Sequence, residues 1–199
     1  MADAVQDLLA LAPMARVLDI GCGPGNWARH LAKAGCVVTG VDSSAQLLEF
    51  AREQERVEPA GITYIEASAS DTELLLGETF DRILASMSLS DIDDLDGALA
   101  NVGRLLGPNG AFVFSILHPC FPGSGSSLAS WPPAGYYAEG WWLAEGHHGY
   151  RGAVGANHRT LSTYFSALAR NGLSADRIRE PAPAGVEVPM FLAMRAIRR

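Results

Sequence analysis

Val17 to Ala28 reads VLDIGCGPGNWA: a short apolar run, then three glycines at every second position, then residues with helical spacing. A strand that feeds a glycine-rich turn and a helix aims backbone N–H groups at one point, which is how α/β sheets hold nucleotide-like ligands. Gly21, Gly23 and Gly25 leave the turn without Cβ atoms, so its backbone can take positive φ and lie directly against a ligand. Asp19 discriminates further. A carboxylate two positions before the first glycine repels a pyrophosphate and suits a ligand with a cationic amino group.

The segments around this turn alternate between the two periodicities. Asp3–Leu11 has helical spacing and Arg16–Ile20 reads as the first strand, followed by a helix from Asn26 to Ala34 with Gly35 just past its end. Cys36–Asp42 reads as the second strand, and Ser43 and Ser44 are N-cap candidates for the helix AQLLEFAREQE. A third strand is expected at Ile62–Ala67, a short helix capped by Ser70 or Asp71 and running to Leu76, and a fourth strand at Phe80–Met87. Asp91–Asp96 falls in the loop and first turn of the next helix, where acidic side chains favour a helix N-terminus. LLGPNG, Leu105–Gly110, is a turn by composition, and Ala111–His118 reads as strand five. Strictly alternating β and α segments imply a parallel sheet with right-handed crossovers.

The pattern breaks at Pro119. From there to Asn157 the chain is rich in Gly, Pro, Ser, Trp and Tyr, with no sustained period, and is too long for an ordinary connection. Its aromatic residues argue for a lid or substrate loop over disorder, because disordered segments are aromatic-poor. Thr160–Arg170 returns to helix, and RIRE and VPMFLAMRAIR read as closing strands. With 199 residues, no repeat and no linker, a single domain over residues 1–199 is expected, with 119–157 inserted as the lid.

Composition narrows the functional classes. A net charge of −7 disfavours a nucleic-acid substrate, whose affinity rests on clustered Lys and Arg. Three cysteines without metal or disulfide spacing fit reduced thiols and a cytoplasmic location. No stretch resembles a signal peptide or a membrane span. No metal site is expected either, since His147, His148 and Cys120 lack ligand spacing.

The glycine turn alone leaves two cofactors open, because Gly23, Gly25 and Ala28 also satisfy a dinucleotide fingerprint, and Asp42 offers a carboxylate to a ribose in either case. Context carries the choice. Over roughly residues 14–118 the chain resembles the class I S-adenosylmethionine-dependent methyltransferases: VLDIGCGPG their first motif, VDSS their acidic second-strand end, FDRILASMSLS their fourth-strand motif and RLLGPNGAFVFSI the approach to strand five. The resemblance implies a Rossmann-like α/β fold, with a seven-stranded mostly parallel sheet, helices on both faces and an antiparallel last strand. It implies S-adenosyl-L-methionine as cofactor, with Asp19 and the Gly21–Gly25 backbone at its methionine part, Asp42 at the ribose and Ser43 beside the adenine. Many relatives carry an acidic residue after strand three, but Ser68 stands here, so Ser68 and Ala69 are the expected adenine contacts, and Ser86 is expected near the methionine end.

SILHPCF and HRTLSTYFSAL resemble a small-molecule branch of that family. His118 and His158 are candidates for a general base or a substrate hydrogen bond, since imidazole titrates near neutrality, or for tethers of the long loop. Tyr136, Tyr137, Trp141 and Trp142 can wall an apolar or aromatic acceptor or pack the lid. Only residues 1–13 precede the first strand, so the resemblance leaves the loop, or a second subunit in a homodimer, to close the pocket. The expected activity is methyl transfer to a small molecule. An NAD-type oxidoreductase, an RNA or protein methyltransferase and a non-catalytic S-adenosylmethionine-binding module are the alternatives.

Overall fold

The computed structural model describes residues 1–121, 135–143, 154–182, 184–185 and 187–199. The parts of the expected lid at 122–134 and 144–153, with Trp131 and the His147–His148 pair, lie outside the described residues.

Seven strands form one sheet: β1 (Arg16–Ile20), β2 (Val37–Asp42), β3 (Thr63–Glu66), β4 (Phe80–Ser86), β5 (Leu106–Leu117), β8 (Leu173–Arg179) and β9 (Phe191–Arg198). They lie in the order β3-β2-β1-β4-β5-β9-β8. All pair in parallel except β9, which runs antiparallel to both β5 and β8. The chain leaves β1 outward through β2 and β3 and returns to β4 on the other side, so the strand order reverses at the carboxyl ends of β1 and β4. Such a switch point is where open α/β sheets leave a crevice.

Strand periodicity separates two cores. Leu18, Ile20, Ile83, Ala85, Phe112, Phe114 and Ile116 point to the face covered by α4 (Leu95–Leu105) and α5 (Leu161–Arg170). Val17, Val38, Leu84 and Val113, one residue out of step, point to α1 (Ala2–Leu9) and α2 (Asn26–Lys33). α3 (Ala45–Val57) starts at Ser44, whose Oγ accepts from Leu47 N–H at 3.3 Å. Phe112 is fully buried and stacks on Phe114, so truncating either to Ala should cost about 3–5 kcal/mol.

Three local expectations are corrected. The helix expected up to Leu76 is a series of turns: Leu75 and Gly77 take φ of 49° and 82°, and the carbonyls of Ala69, Asp71 and Leu74 accept from Asn101 and Arg104 of α4. Carbonyls taken by side chains no longer serve a helical ladder. Strand five starts at Leu106, not Ala111. Phe80 pairs with Leu106 and Arg82 with Ala111, so the GPNG turn survives as a wide bulge within β5, with Asn109 at φ 60°. Within 119–157 the chain is not without regular structure, since β6 (Gly140–Trp142) and β7 (Ala156–His158) pair as an antiparallel ribbon.

Candidate functional site

The carboxyl ends of the first four strands surround a cavity of about 700 Å³, within the range of small-molecule sites. Its floor is the glycine turn. Gly21, Gly23 and Gly25 have φ of 66°, 53° and 80°, as the sequence requires. Gly21 has no room for a side chain, because a Cβ would overlap Ser88 Cβ and come within 2.8 Å of Ser88 Oγ. A Cβ at Gly23 would meet nothing closer than Leu47 at 4.0 Å, so this residue presents bare backbone to the cavity. Gly25 lies behind the turn, where a Cβ would collide with the Tyr64 hydroxyl and the cavity is not in contact.

Asp42, Ser43, Ser68, Ala69 and Ser86 all line the cavity. Asp42 accepts the N–H of Gly23 at 2.7 Å and that of Ser44 at 2.8 Å, one on each oxygen. It therefore ties the glycine turn to the start of α3. Each oxygen keeps a second lone pair for a hydroxyl donor. Ser68 Oγ bonds Ser70 Oγ at 2.9 Å, and Ser86 Oγ bonds Ser115 Oγ at 3.2 Å. Met87, beside Ser86, holds a left-handed φ of 61° on the cavity wall, a conformation that costs a non-glycine residue energy.

Asp19 does not line the cavity. It is 1% exposed beneath the turn and accepts the Ala28 N–H, satisfying an orphan donor of α2, while its Oδ2 has no hydrogen-bond partner among the described residues. Loss of water pushes its pKa to about 7, against the lowering effect of the Ala28 N–H, and the Asp42 charge adds to the rise.

Sequence reasoning missed the fourth wall. Ser88 and the turn Leu89–Asp94 close the cavity, with Asp91, Asp93 and Asp94 on its lining. The helix-dipole reading holds for Asp94, which caps α4 by accepting Gly97 N–H at 2.9 Å, and for Asp96, which pairs with Arg170. Asp91 and Asp93 do something else. They border a second cavity of about 240 Å³, walled by Trp141 and Asn157 of the ribbon. The only sequence signal was the density of Asp in SDIDDLD, which a helix start explains equally well.

The two histidines are treated differently. His118 is buried; its Nδ1 accepts the Cys120 N–H at 3.2 Å, which leaves Nε2 to carry the proton and donate to Glu180 Oε1 at 2.9 Å. Both ring nitrogens are engaged within the protein, and His118 lines none of these cavities. His158 also sits buried, but its Nε2 lies 2.7 Å from the Tyr136 carbonyl. A carbonyl only accepts, so Nε2 carries the proton and Nδ1 the basic lone pair. His158 borders a void of about 30 Å³ shared with Trp142 and Asn157.

Of the four expected aromatic contacts, Trp141 and Trp142 line these ribbon cavities, Tyr136 supplies the carbonyl that holds His158, and Tyr137 is 88% exposed and lines none of them. Glu139 docks the ribbon on α5, accepting Thr160 N–H and Thr163 Oγ1 at 2.6 Å each. Burial pushes its pKa up, but the Thr160 and Thr163 bonds outweigh that and hold it below the usual carboxylate value.

Comparison with known proteins agrees with this geometry. Residues 18–114 match the family described as a methyltransferase domain. The chain is 36% identical over 116 residues to the malonyl-[acyl-carrier protein] O-methyltransferase of Enterobacter lignolyticus, which covers 58% of this chain and 44% of that protein. It is 33% identical over 103 residues to the ubiquinone biosynthesis O-methyltransferase of Vibrio campbellii, covering 52% and 44%. The chain thus spans less than half the length of these curated relatives. A crystal structure of an S-adenosylmethionine-dependent methyltransferase from Mesorhizobium loti matches 99% of this chain and 96% of its own, with 29% identity and a TM-score of 0.78.

Proposed function

We propose that this chain, which belongs to the class I S-adenosylmethionine-dependent methyltransferases, carries a methyl group from S-adenosylmethionine to a small-molecule acceptor. The supporting observation is the large acid-lined cavity over the glycine turn, which meets the ribbon cavity across Asp91 and Asp93. Two ligands bound side by side would share that border.

The residues fit the cofactor. Gly23 offers open backbone, Asp42 offers lone pairs to paired hydroxyls, and the carboxylates on the lining favour a cationic ligand. Bound S-adenosylmethionine supplies a methyl group already activated by a positively charged sulfur. The protein's share is then mostly placement, since holding two reactants in line removes much of the entropic barrier. His158 would take a proton from the acceptor on Nδ1, fixed in that tautomer by the Tyr136 carbonyl. His118 would tether the start of the loop through Cys120 and Glu180. Trp141 and Trp142 would hold the acceptor. The family match ends at residue 114, before the ribbon, so the relatives' own acceptors do not transfer with it.

No helix among the described residues is long and apolar enough to cross a membrane. Three unpaired cysteines support a reducing, cytoplasmic setting. Calorimetric titration with S-adenosylmethionine and with NAD should give saturable binding to the first alone; binding to NAD alone overturns the reading. Incubation with methyl-labelled cofactor should then pass label to a small molecule. Label found only on RNA or protein would replace the acceptor class, and binding without transfer to any acceptor would leave a binding module.

A further inference from the structure

Arg159 directly follows His158, lies outside the cofactor cavity and is only 9% exposed. A buried guanidinium must find acceptors for its donors. It donates to backbone carbonyls: Leu89 O at 2.9 Å, Ile92 O at 2.6 Å and Asp93 O at 2.9 Å. All three belong to the turn whose side chains Asp91, Ile92 and Asp93 wall the cofactor cavity. Asn157, two residues earlier, grips the same turn, donating from Nδ2 to Asp93 Oδ1 at 2.8 Å and to Ser90 O at 3.4 Å. His158 between them turns the other way, to Tyr136. Asn157 and Arg159 therefore hold the wall of the large cavity from either side of His158, the proposed base.

We propose that Arg159, assisted by Asn157, is a positioning residue that sets the cofactor-cavity wall from the acceptor side and so couples the two sites. This rests on the reading of the large cavity as the cofactor site. Three carbonyls converging on one planar fork fix the turn's path in a way that contacts within so short a turn cannot. Linkage makes the coupling reciprocal: whatever tightens the ribbon against the turn improves cofactor binding, and the cofactor in turn favours the ribbon position that takes acceptor.

The test measures the dissociation constant of S-adenosylhomocysteine by calorimetry, alongside thermal melting, for the wild type, Arg159→Met, Arg159→Lys, Asn157→Ala and the control Arg170→Met. Arg170 pairs with Asp96 on the exposed surface. Arg159→Met should weaken binding by at least about tenfold with the folded protein at saturation, since the turn loses its three donors. Arg159→Lys should restore part of that loss, and Asn157→Ala should weaken binding severalfold, while Arg170→Met leaves it unchanged. A merely structural arginine would lower the melting temperature and leave the dissociation constant alone. Wild-type protein that binds no S-adenosylhomocysteine overturns both this proposal and the cofactor reading. Wild-type binding with equal affinity in Arg159→Met overturns this proposal only. If Arg159→Met does not fold, unchanged affinity in Asn157→Ala overturns it.

Discussion

The two ends of the site bury opposite charges and finish them differently. Under the glycine turn, Asp19 is 1% exposed and keeps one oxygen without a partner among the described residues. Behind the ribbon, Arg159 is 9% exposed and is bound to three carbonyls. A buried polar group left unmatched costs free energy, whereas one that is hydrogen-bonded rigidifies what surrounds it. The proposed cofactor end therefore leaves a buried charge incompletely matched beneath its turn, while the proposed acceptor end uses a buried charge to hold backbone in place.

The sharpest way to break this contrast is at the turn. Gly21→Ala should destabilise the protein by about 2–5 kcal/mol, combining a left-handed alanine with overlap on Ser88. Gly23→Ala should cost only the conformational part, about 1–2 kcal/mol, and instead weaken cofactor binding. Denaturant melts of the two variants measure the difference, and equal losses would mean that the packing against Ser88 is immaterial.

Asp19→Asn comes next. The folded pKa of Asp19 is raised, to about 7 from 3.8, so its contribution to stability is fully present below about pH 3.8 and is lost as pH rises through 7. The asparagine variant keeps an acceptor for Ala28 N–H and carries no charge. It should exceed the wild type in stability by a few kcal/mol at pH 8 and lose that advantage at pH 4, read from chemical denaturation at both values.

His158→Ala should lower turnover by about a hundredfold or more, about 2.7 kcal/mol, with cofactor affinity unchanged, as removal of a general base does. His118→Asn should lower the melting temperature and spare turnover. Normal turnover in the first variant, or its collapse in the second, would exchange their roles. Asp42→Ala should weaken cofactor binding more than tenfold, about 1.4 kcal/mol, by calorimetry. Tyr137→Ala, at an exposed side chain, should change stability by no more than about 0.5 kcal/mol in the same melts.

How much of this was legible in the chain follows the same division. The strand–turn–helix at Val17–Ala28 and the acid ending β2 could be read because each is local: glycine spacing and an acid at a strand end are written in neighbouring positions, whereas the antiparallel last strand was implied by the family resemblance alone. The turns at 71–77 were misread as helix because the groups that claim their carbonyls, Asn101 and Arg104, lie about thirty residues away. Asp91 and Asp93 look like helix-start acids in the sequence for the same reason. Nothing near SDIDDLD in sequence tells that Asn157 and Arg159 will meet its backbone.

The sequence by itself determined the alternating α/β pattern and the glycine turn, because strand ends and turn conformations depend on chemistry a few residues wide. Tertiary structure alone decided which partners hold His118 and His158, that Asp19 lies under the turn instead of on the lining, and that Arg159 grips the turn bordering the large cavity. For His158, His118 and Arg159 those assignments are made by hydrogen-bond partners 22, 62 and 70 residues away. A side chain's protonation and orientation follow from its partners, and those partners exist only once the chain has folded.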